Sequence, residues 1–366
     1  MTTESAPSTP QPGTSQSQVC NQVIQKSKSF MDATGAPGLA VGMVQDGAVI
    51  CAQGHGLESL KTKTPITTNS NFHMASISKP FAAMAIVQLV LEGKLDLDRP
   101  IAQYVPEFRM IDARYQQITT RLILMHRSGM PDVEDYEWDK PKSDPDAALR
   151  YLSTVADQTL LSDPGSQFAY SNMAFEVLAV LITRVSGLGF ESYADQYVFK
   201  PAGMRHSSYL YPAPNVVSQA MPHSVNQNGE PFELSIYPYN RQHAPSSTLE
   251  SNINDMNRFM ISAMGSRSKV LPAKGWKMLW AASPEMLAPE RAHYRMGLGW
   301  FVQSHNGQKI VFHEGRDDGF SAMMMLNPKR HTGVAVMANT DSPRAGGESV
   351  FNFEVLGLEM LDLLSN

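Results

Sequence analysis

The chain is 366 residues long, 42% hydrophobic and 18% charged, enough to bury a large core in one large or two interleaved domains. A formal net charge of -5, without a run of five or more like charges, leaves no electrostatic footprint for nucleic acid or an anionic membrane surface, and both are set aside as partners. Cys20 and Cys51 are too few for a disulfide framework or a zinc site and have no C-x-x-C spacing, so two unrelated thiols are expected.

Residues 1–19 hold one charge, Glu4, among Ser, Thr, Pro and Gln, a composition that cannot offset its ordering entropy, and a disordered tail is expected there. They lack the basic start and apolar stretch of a secretory leader, and the longest apolar run, Phe81 to Leu91, is about half a bilayer span. The expectation is a soluble chain without a membrane span, cytoplasmic, or periplasmic or secreted if a leader has been removed. Gly38 to Val44 and Ala48 to Gln53 are β-rich runs around Asp46-Gly47, a tight hairpin turn. Helical spacing follows from Ile77 to Leu91 with Gly93 placed to end it, and again at 118–126, 145–156, 172–186, 190–198, 252–264 and 271–281, with Gly187, Gly203 and Gly265 as stops. Strands return at Leu298–Gln303, Ile310–His313, Phe320–Leu326 and Val334–Ala338, with Asn306-Gly307 as a second hairpin turn. Val350, Phe351, Leu356, Leu358 and Leu361 then mark an amphipathic helix against that sheet.

Strands at both ends and helices between them predict an α+β fold: an antiparallel sheet flanked by helices, built from both chain ends, with an all-helical domain inserted. The expected division is a tail over 1–19, a sheet domain over 20–80 and 245–366, and a helical domain over 81–244, with the active site at the seam.

Ser76-Ile77-Ser78-Lys79 is an S-x-x-K tetrad at the mouth of the first long helix, where positions three apart share a face, so Lys79 can reach the Ser76 hydroxyl. A serine needs a neighbouring base, and a desolvated amine of lowered pKa can be one. Ser266-Arg267-Ser268-Lys269 repeats the spacing, but in a polar loop between Gly265 and Pro272 where no helix face holds the pair. Tyr170-Ser171-Asn172 is the only Y-x-N in the chain. Asn172 reads either as the N-cap of the next helix or as a group holding the substrate carbonyl or Lys79, and Tyr170 either as packing or as a proton shuttle between Ser76 and the leaving group. His313-Glu314-Gly315 closes a strand, whereas His305-Asn306-Gly307 and His331-Thr332-Gly333 fall in polar turns. His313 is expected on an edge strand lining a cleft, with the Arg316 N–H as second oxyanion donor beside that of Ser76. Tyr136, Trp138, Tyr237 and Tyr239 are candidate rim residues, or else packing.

Serine, then Y-x-N, then H-x-G near the C-terminal strands, in that order, resembles the serine β-lactamase and penicillin-binding-protein family, with its class C β-lactamases, D,D-carboxypeptidases and related esterases. Phe72–Ser76, Leu124–Met130, Pro164–Tyr170, Phe199–Met204 and Gly297–Trp300 agree, and the resemblance runs from about residue 30 to the C-terminus. It implies catalytic Ser76, Lys79 and Tyr170, substrate-binding Asn172, His313, Gly315 and Arg316, no metal and no organic cofactor. Substrates would be small esters, lactams or peptides. Class C enzymes carry lysine where this chain has His313, so a fixed cation for a substrate carboxylate is missing, and an esterase or β-lactamase-like hydrolase is expected ahead of a D,D-peptidase, D-amino-acid amidase or acyltransferase. No G-x-S-x-G supports an α/β-hydrolase and no H-E-x-x-H a zinc enzyme. The non-enzyme alternative is an inactive relative that binds acyl or peptidoglycan-like ligands.

Overall fold

Asp46 and Gly47 both take positive φ, 49° and 80°, the geometry of a two-residue hairpin turn that matches strand twist. In the computed structural model, which describes residues 14–216, 218–266, 268–284, 287, 293–341, 344–345, 348–349 and 353–364, that turn joins β1 (Gly38–Gln45) to β2 (Ala48–Gly56). The chain continues through β3 (Phe72–His73), α2 (Ser78–Leu91), α3 (Thr120–Leu124), α4 (Ala147–Ala156), α5 (Asn172–Ser186), α6 (Phe190–Ala194) and α7 (Lys200–Ala202). Short β4 (His223–Val225), β5 (Pro231–Glu233) and β6 (Glu250–Ser251) lead to α8 (Ile253–Met264) and α9 (Ala273–Leu279). The chain then forms β7 (Arg295–Met296), β8 (Phe301–His305), β9 (Gln308–Asp317), β10 (Phe320–Asn327), β11 (Thr332–Ala338) and α10 (Phe353–Asp362), and α1 (Thr14–Thr34) precedes β1.

Seven strands form one antiparallel sheet in the order β2-β1-β11-β10-β9-β8-β7, so chain ends far apart in sequence meet at the β1–β11 pair. This is the expected α+β architecture. Side chains alternate across the strands. Phe320, Ala322, Met324 and Leu326 of β10 join the large core around α2, α5 and α8, while Met323 and Met325 face a second core with Phe353, Leu356, Met360 and Leu361 of α10. Both faces being covered explains why Ala322–Leu326 of β10 and Val334–Ala338 of β11 read as apolar runs without alternation. Helix α2 is buried from Ser78 to Val87, as a helix apolar on every side must be.

The structure corrects several expectations. Residues 14–19 belong to α1 rather than to a disordered tail, and residues 1–13 lie outside the described residues, as do Val350 and Phe351. The stripe Val23, Ser27 and Thr34 buries α1, a pattern too polar to stand out in the sequence. Cys20 and Cys51 are not separate thiols: they form a disulfide that ties α1 to β2. The strand expected from Leu298 begins only at Phe301. Among the described residues, no single helix is long and apolar enough to cross a membrane.

Candidate active site

The β3–α2 junction is a tight, tethered turn. Ala75 sits at φ 46°, a strained conformation for a residue with a Cβ, and Ala75–Ile77 form a 3-10 turn that delivers Ser76 just ahead of α2. Ser78 Oγ donates to Ala75 O at 2.7 Å and accepts from Leu249 N at 2.9 Å, while Tyr209 Oη donates to Ser78 O at 2.6 Å. Strand β9 closes on this turn at Gly315. A Cβ there would lie 2.3 Å from Met74 O and 2.9 Å from Ser76 N, so only glycine allows the approach.

Lys79 is fully buried, and its Nζ lies 2.8 Å from Ser76 Oγ, 2.5 Å from Asn172 Oδ1 and 2.9 Å from Ser246 O. Burial lowers its pKa to about 8, against the opposing pull of the Glu176, Asp317 and Asp132 carboxylates. As an ammonium it donates to all three neighbours. As a neutral amine it has two N–H groups and one lone pair. Asn172 Oδ1 and Ser246 O can only accept, so they take both N–H groups, and the lone pair is left facing the one neighbour able to donate, the Ser76 hydroxyl. The Asn172 amide is oriented by Asp132, which accepts from Asn172 Nδ2 at 3.3 Å and from its backbone N–H at 2.6 Å. The α5 N-cap is Ser171, whose Oγ accepts from Ala174 N, so Asn172 is not the cap and its side chain is turned to Lys79.

Tyr170 lies beside this pair, with Lys79 Nζ 5.0 Å from its ring centroid. His126, at φ 52°, stacks on it at 4.0 Å and accepts the Ser171 N–H at Nδ1. Ser76, Asp132, Tyr136, Tyr170, Asn172, Glu314, Gly315, Arg316, Asp317, Ser321, Asp341, Phe353 and Glu354 line a cleft of about 540 Å³. Ser76, Lys79, Tyr170, Asn172, Gly315 and Arg316 are therefore gathered at one place.

His313 is not on an edge strand and does not line the cleft: β8 and β7 lie outboard of β9, and the ring is buried against Phe301 at 5.1 Å. Burial, then the nearby Lys79 charge, pushes it down to about 3, so the imidazole is neutral. Of the four rim candidates only Tyr136 lines the cleft. Trp138 stacks behind it at 4.7 Å, Tyr237 Oη donates to Glu250, and Tyr239 is buried. Ser266 and Lys269 are exposed on a turn, and Arg267 lies outside the described residues.

Sequence reasoning missed Asp132 and Ser246, which sit in loops without periodicity, and His73, which was visible only as part of Phe72–Ser76. Fully buried His73 contacts Asp317 Oδ2 at 2.8 Å and Glu250 Oε1 at 3.4 Å. Although burial pulls its pKa down, these two partners raise it to about 9. Asp317 is thereby paired, leaving Arg316 exposed on the cleft wall.

The beta-lactamase family model matches residues 23–356. Protein flp of Staphylococcus aureus is 27% identical over 84% of this chain, which spans about 60% of that relative's length. The octameric penicillin-binding protein homologue from Pyrococcus abyssi superposes with a TM-score of 0.76 at 23% identity, covering 95% of this chain and 77% of that one. A class C beta-lactamase superposes with a TM-score of 0.79 at 18% identity, covering 96% and 98%. With a family match over most of its length, the chain belongs to the beta-lactamase family, and the superpositions show the same fold.

Proposed function

We propose that this chain hydrolyses small carboxylic esters through an acyl-enzyme on Ser76. The observation that carries the reading is the arrangement at Lys79, where two obligate acceptors leave the amine's lone pair to the Ser76 hydroxyl. Neutral Lys79 takes the Oγ proton as Oγ bonds to the substrate carbonyl carbon. The N–H groups of Ser76 and Arg316 receive the oxyanion. Tyr170 relays that proton from Lys79 to the departing alkoxide as the ester C–O bond breaks, so both groups return to their starting state, and water then releases the acyl group by the reverse sequence. His313 supports this centre from within the core, as a neutral ring.

The cleft's charge favours neutral esters over carboxylated lactams. Asp132, Glu314, Asp341 and Glu354 line it, with Asp317 already paired to His73, against one lining arginine, Arg316, and His313 offers no cation. We also propose that the seam between a sheet domain (20–80 and 245–366) and an inserted helical domain (81–244) forms this cleft. The Cys20–Cys51 disulfide favours an oxidising compartment. The test is a panel of uncharged nitrophenyl esters, nitrocefin and D-Ala-D-Ala peptides with the wild type and Ser76→Ala. Ester turnover well above nitrocefin turnover, absent in Ser76→Ala, is expected. Faster nitrocefin or D-peptide cleavage would replace the ester reading, and no turnover of any of them would favour a ligand-binding relative.

A further inference from the structure

Behind Lys79, away from the cleft, lies a second set of buried ionisable groups that the acyl-enzyme steps above do not use. Glu176 stands on α5 one turn after Asn172, so both side chains share the helix face turned to Lys79. Its Oε1 accepts from Ser246 Oγ at 2.7 Å and from His243 Nδ1 at 3.1 Å. Gln242 Nε2 donates to His243 Nε2 at 3.0 Å, which places the ring proton on Nδ1, pointing at the carboxylate. Glu176, His243 and Ser246 are all buried, and Tyr136, Trp138 and Tyr151 pack around the His243 ring with centroids 4.9, 5.7 and 5.3 Å away. A buried carboxylate among aromatic rings is costly to keep for packing alone.

The geometry points to a role for it: we propose that Glu176, braced by His243, is a positioning residue that holds the Ser246 carbonyl on Lys79 and sets a buried negative charge opposite the amine. The proposal rests on the acyl-enzyme reading above. Ser246 is the link, because its hydroxyl is tied to Glu176 while its carbonyl accepts from Lys79 Nζ. Without that tie, one of the two acceptors that orient the lysine lone pair would be free to swing away. The other groups facing Lys79 are Asp132, Asp317, Asn172, Tyr170 and the neutral rings of His126 and His313. Glu176 is the foremost of the carboxylates in holding the lysine pKa up against burial. Burial pushes the Glu176 carboxyl up, while the hydrogen bonds from His243 and Ser246 and the charges of His243 and Lys79 pull it back toward the ionised form; burial also pushes the Tyr136 and Tyr151 phenols up, so they stay neutral.

The test compares the pH dependence of Ser76 acylation by an uncharged nitrophenyl ester in the wild type, Glu176→Gln and Glu176→Asp, with circular dichroism to confirm the fold. The acid limb reports the fraction of neutral Lys79. Glu176→Gln keeps the shape and removes the charge, so that limb should move to lower pH by about one unit, the low end of what an opposite charge contributes. Glu176→Asp keeps the charge and draws it back from Ser246, so the limb should stay in place while the plateau rate falls roughly tenfold or more. A purely structural glutamate would lower rates or stability without moving the limb in the glutamine variant alone. A wild type that acylates normally and a glutamine variant with an unshifted limb would overturn this proposal and leave the acyl-enzyme intact; an unreactive wild-type Ser76 would overturn both. Should the glutamine variant not fold, Glu176→Asp decides, and an unchanged plateau rate refutes the positioning role.

Discussion

Gly315→Ala is the substitution that should separate site geometry from general stability. The added Cβ would stand 2.3 Å from Met74 O, 2.9 Å from Ser76 N and 3.1 Å from Ala75 Cβ, two backbone atoms and one side-chain carbon of the turn that presents Ser76. A tolerable C···O contact is about 3.3 Å, so β9 and the turn must part by about 1 Å. Overpacking of this kind costs about 1–3 kcal/mol, and a displacement of that size at a reacting group costs about a hundredfold in rate. The protein should therefore still fold, with a modestly lower melting temperature, while Ser76 acylation by a nitrophenyl ester falls about a hundredfold. Gly47→Ala is the control. Gly47 has positive φ, 80°, but a Cβ there meets nothing within 4 Å, so the cost is local strain in a hairpin turn and acylation should be unchanged. Stopped-flow acylation rates and thermal melts on the three proteins measure both effects. A Gly315→Ala variant with a rate within threefold or so of wild type would refute the claim that β9 and the Ser76 turn are held in one fixed approach.

His313→Lys should slow a penicillin and an uncharged ester alike, because the replaced ring is buried and neutral and a second cation would lie near Lys79; faster penicillin acylation would show that this position does meet the substrate carboxylate. His73 is raised to about 9, despite the downward pull of burial, by Asp317 and Glu250. A raised histidine contributes its stabilisation fully below its unfolded value of 6.5 and loses it as pH climbs through 9, so the gap in urea midpoint between wild type and His73→Gln should shrink over that window; a constant gap would contradict the ion pairing. The Cys20–Cys51 disulfide closes a separation of 31 residues, worth about 3 to 4 kcal/mol in a chain-entropy estimate, so Cys20→Ser with Cys51→Ser should lose about that much in urea unfolding, and coincident curves would count against the crosslink.

What was legible in the sequence follows from where local pattern decides structure. Helix α5 was read with its observed ends, because the apolar periodicity and Gly187 at φ 77° are local signals, although the cap proved to be Ser171 rather than Asn172. The hairpin at Asp46-Gly47 was legible for the same reason. Helix α1 was not, since Ser27 and Thr34 on its buried stripe are polar, and its disulfide partner lies in β2. His313 was assigned to an edge although β8, the strand that flanks β9, was legible, because the order of strands in a sheet is set by long-range pairing that local pattern does not give. At the site, Ser76 and Lys79 were legible through their spacing. The groups that fix the lysine, Asp132, Ser246 and Glu176, were not: two come from irregular loops, and the third looks like any polar residue in a helix.

The measurement that bears most directly on the proposed chemistry is intact-protein and peptide mass spectrometry after brief exposure to a fluorophosphonate. One adduct per chain is expected, confined to the peptide that carries Ser76 and absent from Ser76→Ala, with the rate of its formation rising with pH through the Lys79 value of about 8. An adduct on the peptide that carries Ser266, or a labelled Ser76→Ala protein, would contradict Ser76 as the nucleophile.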